Sequence, residues 1–229
     1  MPIATDPLPK PGRNTVYGVA LNYHSTLAAL GGALTAKPYG APPQAPVLYI
    51  KPANTWITVG DPIPVPAGIA GIQAGVTLAA LIGRDMHQAT IATALSFVAG
   101  FTVVNDISIP HADYFRPVIQ NRCRDGFCAI ARTLIEPRHV PPLNSLAMRV
   151  WVNGRLACTE STRSLVRPVA ALLADVSAMF TLAAGDLVLI GAAPGSPLLQ
   201  ADDHVAVEID GIGRIENPVI AEPALSGAA

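Results

Sequence analysis

Charge is scarce in this chain. Asp, Glu, Lys and Arg make up only 14% of its 229 residues, and the formal net charge is −1. So small and balanced a charge offers no basic footprint for nucleic acid. Disorder is excluded from the other side. Hydrophobic residues make up 51% and the mean hydropathy is +0.41, enough apolar surface to drive a core. Cysteine is sparse as well. Cys123, Cys128 and Cys158 form no CxxC pair, so no zinc framework is spelled out. An odd count with no secretory signal fits a reducing compartment, the cytoplasm. Residues 1–14 are broken by prolines and lack the apolar centre of a signal peptide, so they read as a loose leader before one domain over 15–229. A membrane span is missing too: the long uncharged run 62–83 holds three prolines and four glycines, which would break a spanning helix. There is no P-loop, no GxSxG elbow and no HExxH, and Gly211-Ile212-Gly213 falls in a hairpin instead of opening a helix.

What the chain has in quantity is turn formers. Its 22 Pro and 19 Gly imply short strands joined by many turns, not a helical bundle. Strands are expected at 15–21, 47–50, 76–82, 101–107, 127–133, 147–152, 155–159, 187–190, 204–209 and 212–220, with 61–66 extended by its alternating prolines. Asn153-Gly154 is a hairpin signal between two of them. Helical spacing occurs twice. Ile91, Leu95 and Val98 share a face over 88–98, and Val169, Leu172, Leu173, Val176 and Phe180 follow Arg167-Pro168. A short apolar piece, 27–30, is expected to be capped by Ser25 or Thr26. The fold class is therefore mixed α+β, predominantly β, with two or three peripheral helices. So apolar a chain with so little charge also implies that part of its surface is covered by another subunit.

The polar residues concentrate in 101–128. An apolar strand there ends at Asn105-Asp106, and Asp106, His111, Asp113, Tyr114, Arg116, Arg122, Arg124 and Asp125 follow closely. Charge gathered beside the end of an apolar strand suits a site on a rigid scaffold. The plain alternative is a solvated loop, but Tyr114, Phe115 and Phe127 interleave with the charges. Lys51, just past the strand 47–50, is either a snorkelling surface residue or a cation aimed into a pocket, and the usual exposure of lysine favours the surface.

Taken in order, Ala20-Leu21-Asn22-Tyr23-His24, Ile50-Lys51-Pro52, Ala99-Gly100-Phe101, Asn105-Asp106, Arg122-Cys123-Arg124-Asp125-Gly126-Phe127-Cys128, Val152-Asn153-Gly154 and Gly185-Asp186 with Gly191 form a series that resembles the fumarylacetoacetate hydrolase family. The resemblance runs over nearly the whole chain, from Val16 to Ile220. The run from Tyr114 to Cys128 nearly reproduces FYRPxIxxxCRDGFC. It resembles the N-terminal half, or separate N-terminal subunit, of the bifunctional isomerase/decarboxylases of 4-hydroxyphenylacetate (homoprotocatechuate) degradation.

The resemblance implies a β-sandwich roll, substrates that are diketo or enol acids and, in many members, Mg²⁺ held by a Glu-x-Glu pair and an Asp. Asp106 stands where the Asp belongs, but Gly75 and Thr77 replace the two carboxylates. A hard dication wants several oxygen ligands, so weak or no Mg²⁺ binding is expected. The family's lid His is matched by His24, although its companion Glu is Leu27, and the usual Gly-Thr-Pro turn reads Gly191-Ala192-Ala193. The resemblance then implies a catalytic set of His24, Lys51, Asp106 and Arg122. His24 carries the proton, and Lys51, Arg116 and Arg122 bind the carboxylates of a small di- or tricarboxylate. Tyr23, Tyr114, Arg124 and Asp125 complete the substrate surroundings, with Asp125 orienting an arginine. The expected reaction is isomerisation of a 5-carboxymethyl-2-hydroxymuconate-type enol. Decarboxylation is expected in a C-terminal-type partner, in a homo- or hetero-oligomer, because it asks for a stronger electron sink. Two other readings stay open: a non-catalytic subunit that stabilises an active family member, and a C–C hydrolase of the acylpyruvate type.

Overall fold

In a computed structural model of the chain, the residues described are 9–111 and 118–222. Among them the strands are β1 (Val16–Ala20), β2 (Val47–Lys51), β3 (Trp56–Ile57), β4 (Ile63–Val65), β5 (Ile72–Gln73), β6 (Val76–Ile82) and β7 (Val98–Asp106). They continue with β8 (Cys128–Ile130), β9 (Ala147–Val152), β10 (Arg155–Ser161), β11 (Leu187–Leu189), β12 (Leu198–Leu199), β13 (His204–Ile209) and β14 (Gly213–Ala221). The helices are α1 (His24–Leu30), α2 (Ile119–Arg122) and α3 (Val169–Met179).

Two sheets make the body of the fold, one ordered β2-β1-β11-β6-β7-β8-β3 and the other β10-β9-β13-β14-β4. Most neighbours are antiparallel, while β1–β11, β3–β8 and β4–β14 run parallel. The expected class, mixed and predominantly β, is what forms. The core lies between the sheets, where Val76, Leu78, Ala80 and Ile82 of β6 meet Val150 of β9, Val207 of β13 and Leu172 of α3. On the other face of the first sheet, Ala79, Val104, Ile130 and Leu189 form a smaller cluster. β6 is thus buried on both faces, which is why its sequence is apolar at every position but Thr77.

Several expectations change on contact with the structure. Part of the expected loose leader is tied down: Asn14 donates to the Ala184 carbonyl at 2.9 Å, against a glycine, Gly185, whose absent Cβ leaves the room. α1 begins at His24, and neither Ser25 nor Thr26 caps it; Tyr23 holds the N-cap position without a side-chain bond. No helix forms over 88–98. Gln88 turns at φ 49°, and the Thr93 hydroxyl bonds the Thr90 N–H and carbonyl, so only a 3₁₀ turn over Ala94–Phe97 results. Local side-chain bonds outcompete the helix there, and Ile91 is left 63% exposed. The Asn153-Gly154 hairpin forms, with both residues at positive φ (50° and 74°) as a type I′ turn requires.

Candidate functional site

The site is built where three strand ends meet. β7 runs apolar until Asn105 and Asp106, both almost fully buried. Alternation along β2 puts Tyr49 and Lys51 on one face, and both reach Asp106. The Lys51 ammonium pairs with Asp106 Oδ1 at 2.7 Å. It also donates to the carbonyls of Ile107, Arg122 and Phe127 at 2.7, 2.9 and 2.9 Å. α2 brings Arg122, whose Nη1 lies 3.0 Å from Asp106 Oδ2. The Tyr49 hydroxyl donates to the same oxygen, and the guanidinium carbon sits 4.4 Å from the centre of the Tyr49 ring. Burial alone would raise the Asp106 pKa, but Lys51, Arg122 and the donated hydrogen bonds outweigh it and hold the carboxyl below its ordinary value. Burial, with Asp106 nearby, pushes the Tyr49 phenol well above its ordinary value against the pull of Arg122. The phenol is therefore a donor at any working pH.

A cavity of about 270 Å³ opens in front of this cluster, lined by Asp106, Arg122, Ser108, His111, Tyr23 and the turn at Ala192, among others. His111 is half-buried. Its Nδ1 lies 2.9 Å from the Ile109 carbonyl, which can only accept, so the proton sits on Nδ1 and the lone pair of the neutral ring on Nε2. Burial lowers its pKa, the carbonyl bond opposes this, and Arg122 lowers it further, so the ring is neutral at pH 7. The Tyr23 ring is buried and its hydroxyl points at Met148 Sδ, 3.3 Å away. Burial, helped by Glu160, raises its pKa, so it too stays protonated.

The structure brings together only part of the expected set. Asp106, Arg122 and Tyr23 line the cavity. Lys51 is close by but is fully buried and does not line it, so the expected surface position is wrong, and so is the expected direct grip on substrate. His24 is exposed at the start of α1 and does not line the cavity. Its neighbours Tyr23 and Thr26 take the inward positions instead. Arg124 donates to the Gln120 carbonyl and, with Asp125, borders a separate recess of about 220 Å³ beside Phe127 and Glu222. Asp125 accepts from Asn54 at 2.7 Å and orients no arginine among the described residues. Tyr114 and Arg116 lie outside the described residues. Two residues were missed. His111 was visible in the polar segment but passed over for His24. Tyr49 shares the parity of Lys51 on β2, a signal present in the sequence.

The expected loss of metal ligands has a geometric counterpart. A Cβ on Gly75 would lie 2.2 Å from the Asp106 carbonyl oxygen, because the Gly75 carbonyl accepts from the Asp106 N–H at 2.8 Å. Thr77 is fully buried, and its hydroxyl accepts from the Gly191 N–H at 3.2 Å. Among the described residues no three His, Cys, Asp or Glu side chains converge.

The fold is thus two packed sheets with an ionised Asp106 paired to Lys51 and Arg122 at the strand ends, beside a small cavity that Asp106 and Arg122 line. Residues 15–220 match the fumarylacetoacetate (FAA) hydrolase C-terminal family, and the chain belongs to that family. It is 37% identical over 210 residues to a 4-hydroxyphenylacetate degradation bifunctional isomerase/decarboxylase of Escherichia coli, covering 92% of this chain and 48% of the relative. The chain therefore spans about half the length of that relative. An oxaloacetate tautomerase of Escherichia coli is 27% identical, with 84% of this chain and 87% of the relative covered. Among solved structures, a 5-carboxymethyl-2-hydroxymuconate delta-isomerase from Mycobacterium smegmatis superposes with a TM-score of 0.78 at 26% identity, covering 92% of this chain and 80% of that one. No helix of the described residues is long and apolar enough to cross a membrane.

Proposed function

We propose that this chain catalyses enol–keto proton transfer on a small anionic di- or tricarboxylate of the 5-carboxymethyl-2-hydroxymuconate type, without a bound divalent metal. One observation carries the reading: Arg122 and the neutral His111 line the same cavity as the ionised Asp106. Arg122 binds a substrate carboxylate. His111 Nε2 takes the enol hydroxyl proton, the electron pair moves through the conjugated chain, and the imidazolium returns a proton to a distal carbon. One proton moves from oxygen to carbon, each double bond of the conjugated chain shifts one place, and nothing else is consumed. Developing negative charge on the enolate oxygen is stabilised by the positive side of the cluster. The residues do not fit Mg²⁺. Both Asp106 oxygens already hold organic cations, and Gly75 has no room for a carboxylate. The names of the curated relatives reported above support an isomerase or tautomerase; solved structures named as hydrolases also share the fold, at 21–22% identity. Decarboxylation is assigned to a second, metal-holding domain of the same family. The match to half of the bifunctional relative's length supports such a second domain.

The test is an ultraviolet assay of 5-carboxymethyl-2-hydroxymuconate isomerisation in EDTA, with His111→Ala and Arg122→Ala beside the unaltered chain. Turnover in EDTA is expected, with a loss of about 100-fold or more in either variant. Activity that EDTA abolishes, or that both variants keep, refutes the reading. A second reading, the non-catalytic subunit, is favoured by one feature: Lys51 and Asp106 satisfy each other inside the protein, as a structural ion cluster would. It predicts no turnover by the unaltered chain and enhanced stability of an active family member mixed with it.

A further inference from the structure

Tyr49 is absent from the cavity wall, yet it touches both charged residues that line it. Its hydroxyl donates to Asp106 Oδ2, and its ring face lies under the Arg122 guanidinium. The backbone is arranged to make this possible. Tyr49 pairs with Gly18 across the β1–β2 ladder, and the ring is laid over that glycine. A Cβ at position 18 would sit 2.1 Å from Tyr49 Cε2 and 2.2 Å from Cζ. The ring therefore occupies volume that any other residue on β1 would claim, and this fixes where the phenol points. Lys51 is two residues further along the same strand and holds Asp106 Oδ1. One face of β2 thus supplies a group for each oxygen of the carboxylate.

Resting on the reading of Arg122 as the carboxylate-binding cation, we propose that Tyr49 is a positioning residue for the site: its hydroxyl fixes Asp106 and its ring sets the plane of the Arg122 guanidinium, so that the guanidinium meets a substrate carboxylate edge-on. A planar fork binds a carboxylate through two parallel N–H bonds only when its plane is aligned. An arginine stacked on an aromatic face has one rotational freedom fewer to lose on binding. The two functions of Tyr49 separate by substitution. Tyr49→Phe keeps the platform and removes the hydroxyl. Tyr49→Leu removes both.

The experiment is calorimetric titration of the full chain with oxalate in EDTA, for the unaltered chain, Tyr49→Phe, Tyr49→Leu and Arg122→Ala, with thermal unfolding of each. Tyr49→Leu is expected to weaken oxalate binding about tenfold while the chain stays folded. Tyr49→Phe recovers most of that loss, which a purely structural role of the phenol would not give, and its remaining deficit measures the hydroxyl. Steady-state isomerisation gives the second readout: the substitutions raise KM more than they lower kcat. If Tyr49→Leu is folded and binds oxalate as tightly as the unaltered chain, while Arg122→Ala does not bind, the positioning role is overturned and the site reading stands. If Arg122→Ala binds as well as the unaltered chain, the site reading itself fails and takes this inference with it. Should Tyr49→Leu not fold, Tyr49→Phe and Tyr49→Trp decide: equal affinities in all three ring-bearing proteins with unchanged KM overturn the role of the hydroxyl and of ring placement alike.

Discussion

Lys51 reverses the ordinary expectation for its residue type. A lysine at a strand exit belongs in water, yet this one is fully buried. The cost of removing an ammonium from water is offset by three carbonyls and a carboxylate, which use up every proton it has. Such an arrangement tolerates no partial removal. Lys51→Met would leave the buried Ile107 and Arg122 carbonyls and Asp106 Oδ1 without the ammonium, the Phe127 carbonyl keeping only the Ile107 N–H, and the expected loss is about 3–5 kcal/mol, read as a lower urea midpoint. The same cluster has a pH signature. The folded Asp106 pKa lies below its ordinary value, so its contribution is present above the unfolded carboxyl value of about 4 and is lost as pH falls through the folded value. Urea midpoints at pH 7, 5 and 3 should therefore fall steeply toward acid in the unaltered chain. Asp106→Asn should be less stable at pH 7 and show a shallower decline below pH 4. Equal slopes would separate Asp106 from the acid sensitivity. Residue identity in the sequence could not reveal this, because Lys51 reads the same whether its strand exit faces water or a neighbouring loop. The histidines show the same limit. His24 and His111 are equivalent as letters, and only the turn after Ile109 puts one ring against the cavity while α1 leaves the other outside.

At the scale of elements the sequence is far more legible. Strands β6, β9 and β13 follow from apolar runs or alternation that only a sheet can bury, and the Asn153-Gly154 turn follows from its φ requirement. α3 follows from its 3.6 period, with Pro168 at the N-cap. The region 88–98 has the same period and no helix, because three Ser and Thr side chains, at 93, 96 and 177, bond backbone nearby. Periodicity records which side chains want burial; it does not record competing hydrogen bonds. The β6–β7 approach carries a sharper consequence. A Cβ at 75 would meet the Asp106 carbonyl at 2.2 Å, so the backbone is closed around the position where the family resemblance expects an acid. Putting the acids back as Gly75→Glu with Thr77→Glu should not rebuild a metal site. The expected result is destabilisation of about 1–3 kcal/mol from the clash and from burying new charge, and no heat of binding in a Mn²⁺ titration. Micromolar Mn²⁺ binding by that double variant would show that the strands part easily and that composition alone governs the metal.

Among the described residues each main sheet ends in two outer strands, β2 and β3 in one and β10 and β4 in the other. Of these, β2 and β10 each show a large apolar side chain: Ile50 is 49% exposed and Leu156 is 51% exposed. An outer strand presents unpaired backbone donors and acceptors and is ordinarily guarded by charge. Here charge is in short supply, at 14% of the chain, so the edges are poorly guarded. β2 is also the strand that carries Tyr49 and Lys51 to Asp106, which places one open edge directly behind the cavity. Cover on that edge would steady the site, and loss of cover would loosen it. Self-association or pairing with a second domain of the family is therefore expected, and sedimentation velocity at protein concentrations on the order of 10 μM should show a species heavier than one chain. Ile50→Lys should shift the distribution toward the single chain if β2 is the covered edge, and Leu156→Lys should do so if β10 is. If Ile50→Lys yields single chains, oxalate affinity should fall with it, because the strand that holds Asp106 in place has lost its outer support. A single chain at that concentration with undiminished oxalate binding would mean that β2 is rigid by itself, with its attachment to β1 and the ammonium at its end sufficient to hold it.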